Sequence, residues 1–353
     1  MTASESQATP DAPARGWRRH RGLMILAARW ALLLLVAWYV VRILGRIDWA
    51  QVRDALSGLG PAAVVVLLAN VALRQSLNPA GFAVLLPGLG IRRAVVQDLS
   101  QTVVSSVAPP PADLVLRLSM LRSWGFDAAT AMSALTLNVL TFYIVRFASP
   151  TLGVLLGLAT GAAAGGFAGI ALACLAFSGV LVAVTVASMY GGGAITSTAT
   201  WSATQVRRLF RSVSPEAWAS RAAAFGSRVG EGARSRSVPA GVCQLGQVLS
   251  EALMLCLSLR FAGVPASAAA TAAIFATALL CYPLTTMPFM GIGIYDASVL
   301  AVLALDNGPY EAEAVAGMVL LRVCWTLLPL LLGSVTLGGW FLLRSRRDVG
   351  RAG

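Results

Sequence analysis

The chain has 353 residues, of which 57% are hydrophobic and only 12% charged, and its mean hydropathy is +0.75, so it lacks the polar residues to cover a water-soluble surface. The formal charge of +12 suggests nucleic acid at first sight, but the arginines gather at the ends of apolar spans and in one loop, which is the pattern of membrane topology. The only histidine, His20, sits in the N-terminal tail, and the five cysteines lie in or beside apolar spans with no Cys-x-x-Cys spacing, so histidine acid–base chemistry, disulfides, metals and cofactors are not expected.

Residues 1–22 read as a disordered basic tail, and Leu23 to Leu44 as a retained first span that opens a first membrane half over 23–190. Pro61 to Leu86 returns inward and ends before Arg92 and Arg93. From Ile91 the pattern is a helix to Val107, a break at Pro109, Pro110 and Pro111, a short amphipathic piece to Trp124, a stop at Gly125, and a further helix. Backbone broken in this way cannot face lipid, so the unit near 108–125 must be buried in protein or line a wet cavity. Glycines at 153, 157, 161, 165 and 169 recur every four residues, a spacing that predicts close packing of another helix, inside the chain or in a dimer.

Residues 191–237 form a basic segment in which seven arginines between 207 and 236 stand against Glu216 and Glu231; two amphipathic helices on the inner leaflet are expected, the second starting at Ser214–Pro215–Glu216. The second membrane half spans 238–343, is broken near 287–308 at Pro288, Gly291 and Gly293, and ends in a tail over 344–353. Both termini are then on the cytoplasmic side of a cell membrane, and the fold is an all-α polytopic bundle of about eight to ten crossings, fewer if the broken units are re-entrant.

Charges deep in such spans are costly and mark sites. Arg74 lies thirteen residues from both Pro61 and Pro87, with Asn70 and Asn78 on its face; Asp113 and Arg117 are four apart, a spacing that permits a local ion pair. Arg146 shares part of its face with Asn138 and Thr141, and Glu251 sits in an apolar run near Gln244, Gln247 and Ser258. Asp296 follows the second break and Tyr295, and Arg322 stands ten residues into the last apolar stretch. Arg74, Asp113, Arg117, Asn138, Arg146, Glu251, Tyr295, Asp296 and Arg322 are therefore the candidate substrate-binding residues, and they supply both signs of charge for a polar headgroup.

The segment PFMGIGIYD at Pro288 to Asp296, with Gly308 and Arg322, resembles the flippase-like family built on the lysylphosphatidylglycerol synthase transmembrane domain; APPPAD, Arg117, Gly125, Asn138 and Pro150 match more loosely. The first break carries prolines where that family commonly has glycines, and Asn138 stands where many members carry an arginine. The chain ends at Gly353, which leaves no room for the aminoacyl-transferring domain of the full-length synthases. The resemblance implies translocation of a polar lipid or polyprenyl-linked intermediate without lysine transfer and without enzymatic activity. Two other readings stay open: an ion- or proton-coupled transporter of a small solute, and a non-transporting membrane partner. The expected partners are membrane lipids, with anionic lipid at the basic loop, and either a second copy or a lipid-synthesis enzyme; nucleic acid is not expected.

Overall fold

The structure is a computed structural model that describes residues 50, 57–108, 111–160, 165–190, 215–265, 267–287, 291–305 and 309–352, with side chains outside 187–190, 215–234 and 344–352. The expected tail and first span, Pro109, Pro110, Pro288, Gly161, Gly308 and residues 191–214 lie outside the described residues. The described residues are all-α with no strand: α1 (Pro61–Leu85), α2 (Ile91–Val107), α3 (Ala112–Ser123), α4 (Ala128–Ala159), α5 (Ala168–Tyr190), α6 (Pro215–Phe261), α7 (Ala268–Cys281, continued by a 3-10 turn over Tyr282–Thr286), α8 (Ile294–Val302), α9 (Glu311–Arg322) and α10 (Leu328–Ala352), the last two joined through a π turn at Val323–Leu327. Among the described residues, six stretches are long and apolar enough to cross a membrane: Pro61–Leu85, Ala128–Ala159, Ala168–Val186, Ser235–Phe261, Ala268–Thr286 and Glu311–Leu343. The chain is thus a polytopic helical membrane protein.

The helix limits follow from local chemistry. Asp127 caps α4 by accepting from the backbone N–H groups of Ala129 and Thr130, and Ser267 caps α7 by accepting from Ala270. Gly125, at φ +92°, closes α3: Phe126 N–H reaches Leu121 C=O and Gly125 N–H reaches Arg122 C=O. The same pair of bonds closes α8 at Ala304, which is forced to φ +52° without the freedom of glycine. Ala304→Gly is therefore expected to raise stability by about 0.5–1 kcal/mol in a denaturant titration. One expectation is corrected here. The segment from Pro215 is not a separate surface helix ahead of a span at 238; it is continuous with that span to Phe261, because the helix runs on through Pro239.

α2 and α3, at 17 and 12 residues, extend about 25 and 18 Å, each short of the roughly 30 Å hydrocarbon core. They form a hairpin. Gln97 donates to the Arg117 carbonyl, and Arg93 stacks over Trp124, so α3 runs back antiparallel along α2. The start of α2 (Ala94) and the end of α3 (Leu121) share one cluster with the end of α1 (Phe82, Leu85) and the start of α4 (Ala131, Ala134). The chain thus leaves this hairpin at the end where it entered, an end that carries exposed Arg92, Arg93 and Arg122.

The second broken unit repeats this from the opposite end. α6 runs antiparallel to α1, as the pairs Asn78–Gln244 and Arg74–Glu251 require, and so carries the chain away from the arginine end. α7 then turns inward, α8 packs against it, and α9 starts again beside the α6–α7 turn, where a Cβ on Gly263 would touch Glu313. Helix, hairpin, helix (α1, α2–α3, α4) is therefore followed, after α5, by helix, hairpin, helix (α6, α7–α8, α9–α10) in inverted orientation, the architecture on which many transporters are built.

Each hairpin is held by the closing helix of the other unit. Ser149 of α4 donates to the Leu279 carbonyl of α7 at 3.1 Å, and Ser100 of α2 contacts Thr336 of α10 at 3.3 Å. Both seams use a glycine: a Cβ on Gly153 would lie 2.5 Å from the Ala276 carbonyl oxygen, and one on Gly333 would collide with the Leu99 carbonyl. The front of the glycine stripe thus serves internal packing, whereas a Cβ on Gly169 would meet nothing within 4 Å. Gly153→Leu should cost about 1–3 kcal/mol in the same titration, and Gly169→Leu close to nothing.

Candidate functional site

The hairpin tips meet in the middle of the bundle around a cavity of about 420 Å³. Thr102, Ser105, Ser106 and Asp113 line it from the first tip, and Thr285, Thr286 and Met287 from the second; α1, α4, α6, the π turn and the bodies of α2 and α3 contribute the rest. The helical period explains the lining. Asp98, Gln101, Thr102, Ser105 and Ser106 fall at i, i+3, i+4, i+7 and i+8 of α2, and Asn138, Val139, Phe142, Tyr143 and Arg146 repeat a similar spacing along α4.

Two buried ion pairs order the wall. Arg74 Nε donates to Glu251 Oε1 at 2.7 Å, Gln247 donates to the same oxygen at 3.0 Å, and the Tyr282 hydroxyl donates to Glu251 Oε2, so both carboxylate oxygens are engaged. Glu251 is 1% exposed and sits behind the cavity surface, fixing Arg74 at it. Asp98 accepts from Asn78 at 2.6 Å and faces Arg117 at 3.8 Å; Asn78 in turn accepts from Gln244. Arg117 thus turns to Asp98 on α2 rather than to Asp113 one turn away, and no hydrogen bond or salt bridge among the described residues reaches the Asp113 carboxylate.

Arg146 differs from both. It is buried, stacked over the rings of Phe142 (4.2 Å) and Tyr282 (4.6 Å), and its Nε has no hydrogen-bond partner. Buried polar atoms without partners are uncommon, and five of the seven found among the described residues gather here: Gln75 Nε2, Arg117 Nε, Arg146 Nε, Gln247 Oε1 and Trp325 Nε1 all belong to cavity-lining residues.

Of the nine substrate-binding candidates, Arg74, Asp113, Arg117, Asn138 and Arg146 border the cavity, and Glu251 lies one bond behind it. Tyr295, Asp296 and Arg322 do not line it. Arg322 Nε and Nη2 form a fork with Asp296 at 3.0 and 2.9 Å, and Asp296 also accepts from Gly293 N–H at 2.8 Å. This group ties the start of α8 to α9, with Arg322 over Tyr295 and Trp325. Gly291, at φ +64°, lets the break fold back so tightly that a Cβ there would lie 2.5 Å from the Leu284 carbonyl oxygen. Asp98 escaped the sequence reading, although the polar stripe that it begins on α2 was the signal for it. Among the described residues no group of three or more His, Cys, Asp or Glu is gathered to hold a metal ion.

Compared with models of protein families and with curated proteins, the chain finds no match.

Proposed function

We propose that this protein is a membrane lipid translocase in which a polar headgroup passes through the cavity between the two hairpin tips while the acyl or polyprenyl tail stays in the bilayer. The observation that carries this reading is the cavity's position and its wall: it is lined by five charged side chains, lies between tips that enter from opposite ends, and is bordered by Val139 and Tyr143, which are 43% and 37% exposed near the middle of the membrane-crossing α4. A headgroup held there has an apolar flank beside it along which a tail can lie. Carrying a charged group through hydrocarbon costs at least about 2.5–3.5 kcal/mol even by insertion scales, and a wet, charge-lined path removes much of that cost. Inverted units around one central site supply a route to alternating access, in which rocking one unit exposes the cavity to each face in turn.

The resemblance of PFMGIGIYD to the flippase-like family supports the same reading. The arginine-rich end, with Arg92, Arg93 and Arg122, belongs on the cytoplasmic side of the plasma membrane by the positive-inside rule, which puts both termini there. The basic segment 191–237, with its seven arginines, is placed on that side to meet anionic lipid.

Liposomes containing purified protein and a trace of acyl-labelled phospholipid provide the test. A membrane-impermeant reductant should bleach the inner-leaflet label faster than in protein-free liposomes. Equal rates across anionic, zwitterionic and polyprenyl-phosphate lipids would remove the proposal, and accumulation of a soluble solute driven by a proton gradient would favour a solute transporter.

A further inference from the structure

We infer that the cavity is a dipolar subsite that binds a zwitterionic phosphoester, with the phosphate on Arg146 and the ammonium group on Asp113. The inference rests on the headgroup-translocation reading for the ligand's source and adds the ligand's charge pattern. Three arginines (74, 117, 146) and two aspartates (98, 113) line the cavity, and Glu251 lies behind. Arg74 is matched by Glu251 and Arg117 by Asp98. This leaves one cation and one anion, Arg146 and Asp113, on the wall without a salt bridge among the described residues.

The local geometry explains why Arg146 makes no salt bridge among the described residues. The Glu251 oxygens are taken by Arg74, Gln247 and the Tyr282 hydroxyl, and Arg146 lies over the ring of that same tyrosine rather than in a salt bridge to the carboxylate. Two aromatic faces hold the guanidinium in place without using its N–H donors, which leaves the planar fork to meet a phosphate. An arginine 6% exposed with an orphaned Nε is costly to keep unless a ligand completes it. Asp113 stands on the first hairpin tip, in the first turn of α3, where its half-buried carboxylate supplies the opposite pole.

The test is calorimetric binding to the full chain in a phosphate-free maltoside detergent, with glycerophosphoethanolamine, glycerophosphoglycerol, inorganic phosphate and dihexanoyl-phosphatidylethanolamine as probes. Wild type should bind glycerophosphoethanolamine about tenfold more tightly than glycerophosphoglycerol or phosphate, the scale of one charge-assisted contact. Arg146→Gln should weaken every probe about tenfold or more, and Arg146→Lys, which keeps the cation between the two rings, should recover part of that loss. Asp113→Asn should erase the preference for ethanolamine over glycerol while phosphate binding persists.

Unchanged affinities in a folded Arg146→Gln, an ethanolamine preference that survives Asp113→Asn, or no binding by wild type would each overturn the inference. Tighter binding of the dihexanoyl lipid than of its free headgroup supports a lipid source. Equal binding of the two keeps the subsite and counts against translocation of lipid. Lipid flux in liposomes with no selectivity for headgroup charge keeps the translocase and overturns the subsite.

Discussion

Glu251→Ala is expected to lower the stability of the bundle by about 3–5 kcal/mol, the cost of leaving a buried charge without its partner. The carboxylate joins α6 to α1 through Arg74 and to the turn after α7 through Tyr282, so its removal orphans a guanidinium and a buried hydroxyl together. It also frees Arg74 at the point where the opening helices of the two units cross. Replacing both members, as Arg74→Met with Glu251→Met, should recover most of the loss, because two apolar side chains need no partner. Unfolding in mixed micelles followed by circular dichroism gives the comparison; a single-variant cost below about 1 kcal/mol would mean that the pair is solvated and does not hold the units together.

Filling the cavity should have the largest effect on transport. Ser106 and Thr286 stand on opposite tips, and each hydroxyl bonds only to its own chain segment, Ser106 to the Thr102 carbonyl and Thr286 to the Pro283 carbonyl. A tryptophan at either place occupies the space between the tips while leaving every inter-helix hydrogen bond intact. Ser106→Trp and Thr286→Trp are each expected to reduce lipid flux about tenfold or more with stability changed by less than about 1 kcal/mol. Flux at the wild-type rate in both variants would place the path elsewhere.

The two breaks were legible in the sequence because proline and glycine mark irregular backbone wherever they fall: α2 ends at Val107 and α8 begins after Gly293, where the residue types require. The return of each hairpin to its starting end was not legible. A break tells where a helix stops and says nothing of the direction in which the chain resumes; that is decided by packing such as the cluster that gathers Ala94 and Leu121 with α1 and α4, which depends on the whole bundle. Partner choice was hidden for the same reason. The i, i+4 spacing permits Asp113 to pair with Arg117, yet the arginine faces Asp98 across the hairpin, and Arg74 finds its carboxylate 177 residues away. Arg322 and Asp296 carried the most specific local pattern and proved to be a clamp on α8 rather than cavity wall. A strong motif in a broken helix thus reports the device that holds the break as readily as the site that the break creates.

The claim that the space between the tips is the headgroup path is tested most directly by joining them. With the native cysteines replaced, Ser105→Cys and Thr286→Cys place thiols on two walls of one cavity, to be joined by a bifunctional thiol reagent whose linker is cleaved by reductant. Cross-linked protein in liposomes should lose lipid flux and regain it when the linker is cut, while either single variant treated alike keeps transporting. Flux in the cross-linked protein equal to that of the cleaved protein would contradict the account.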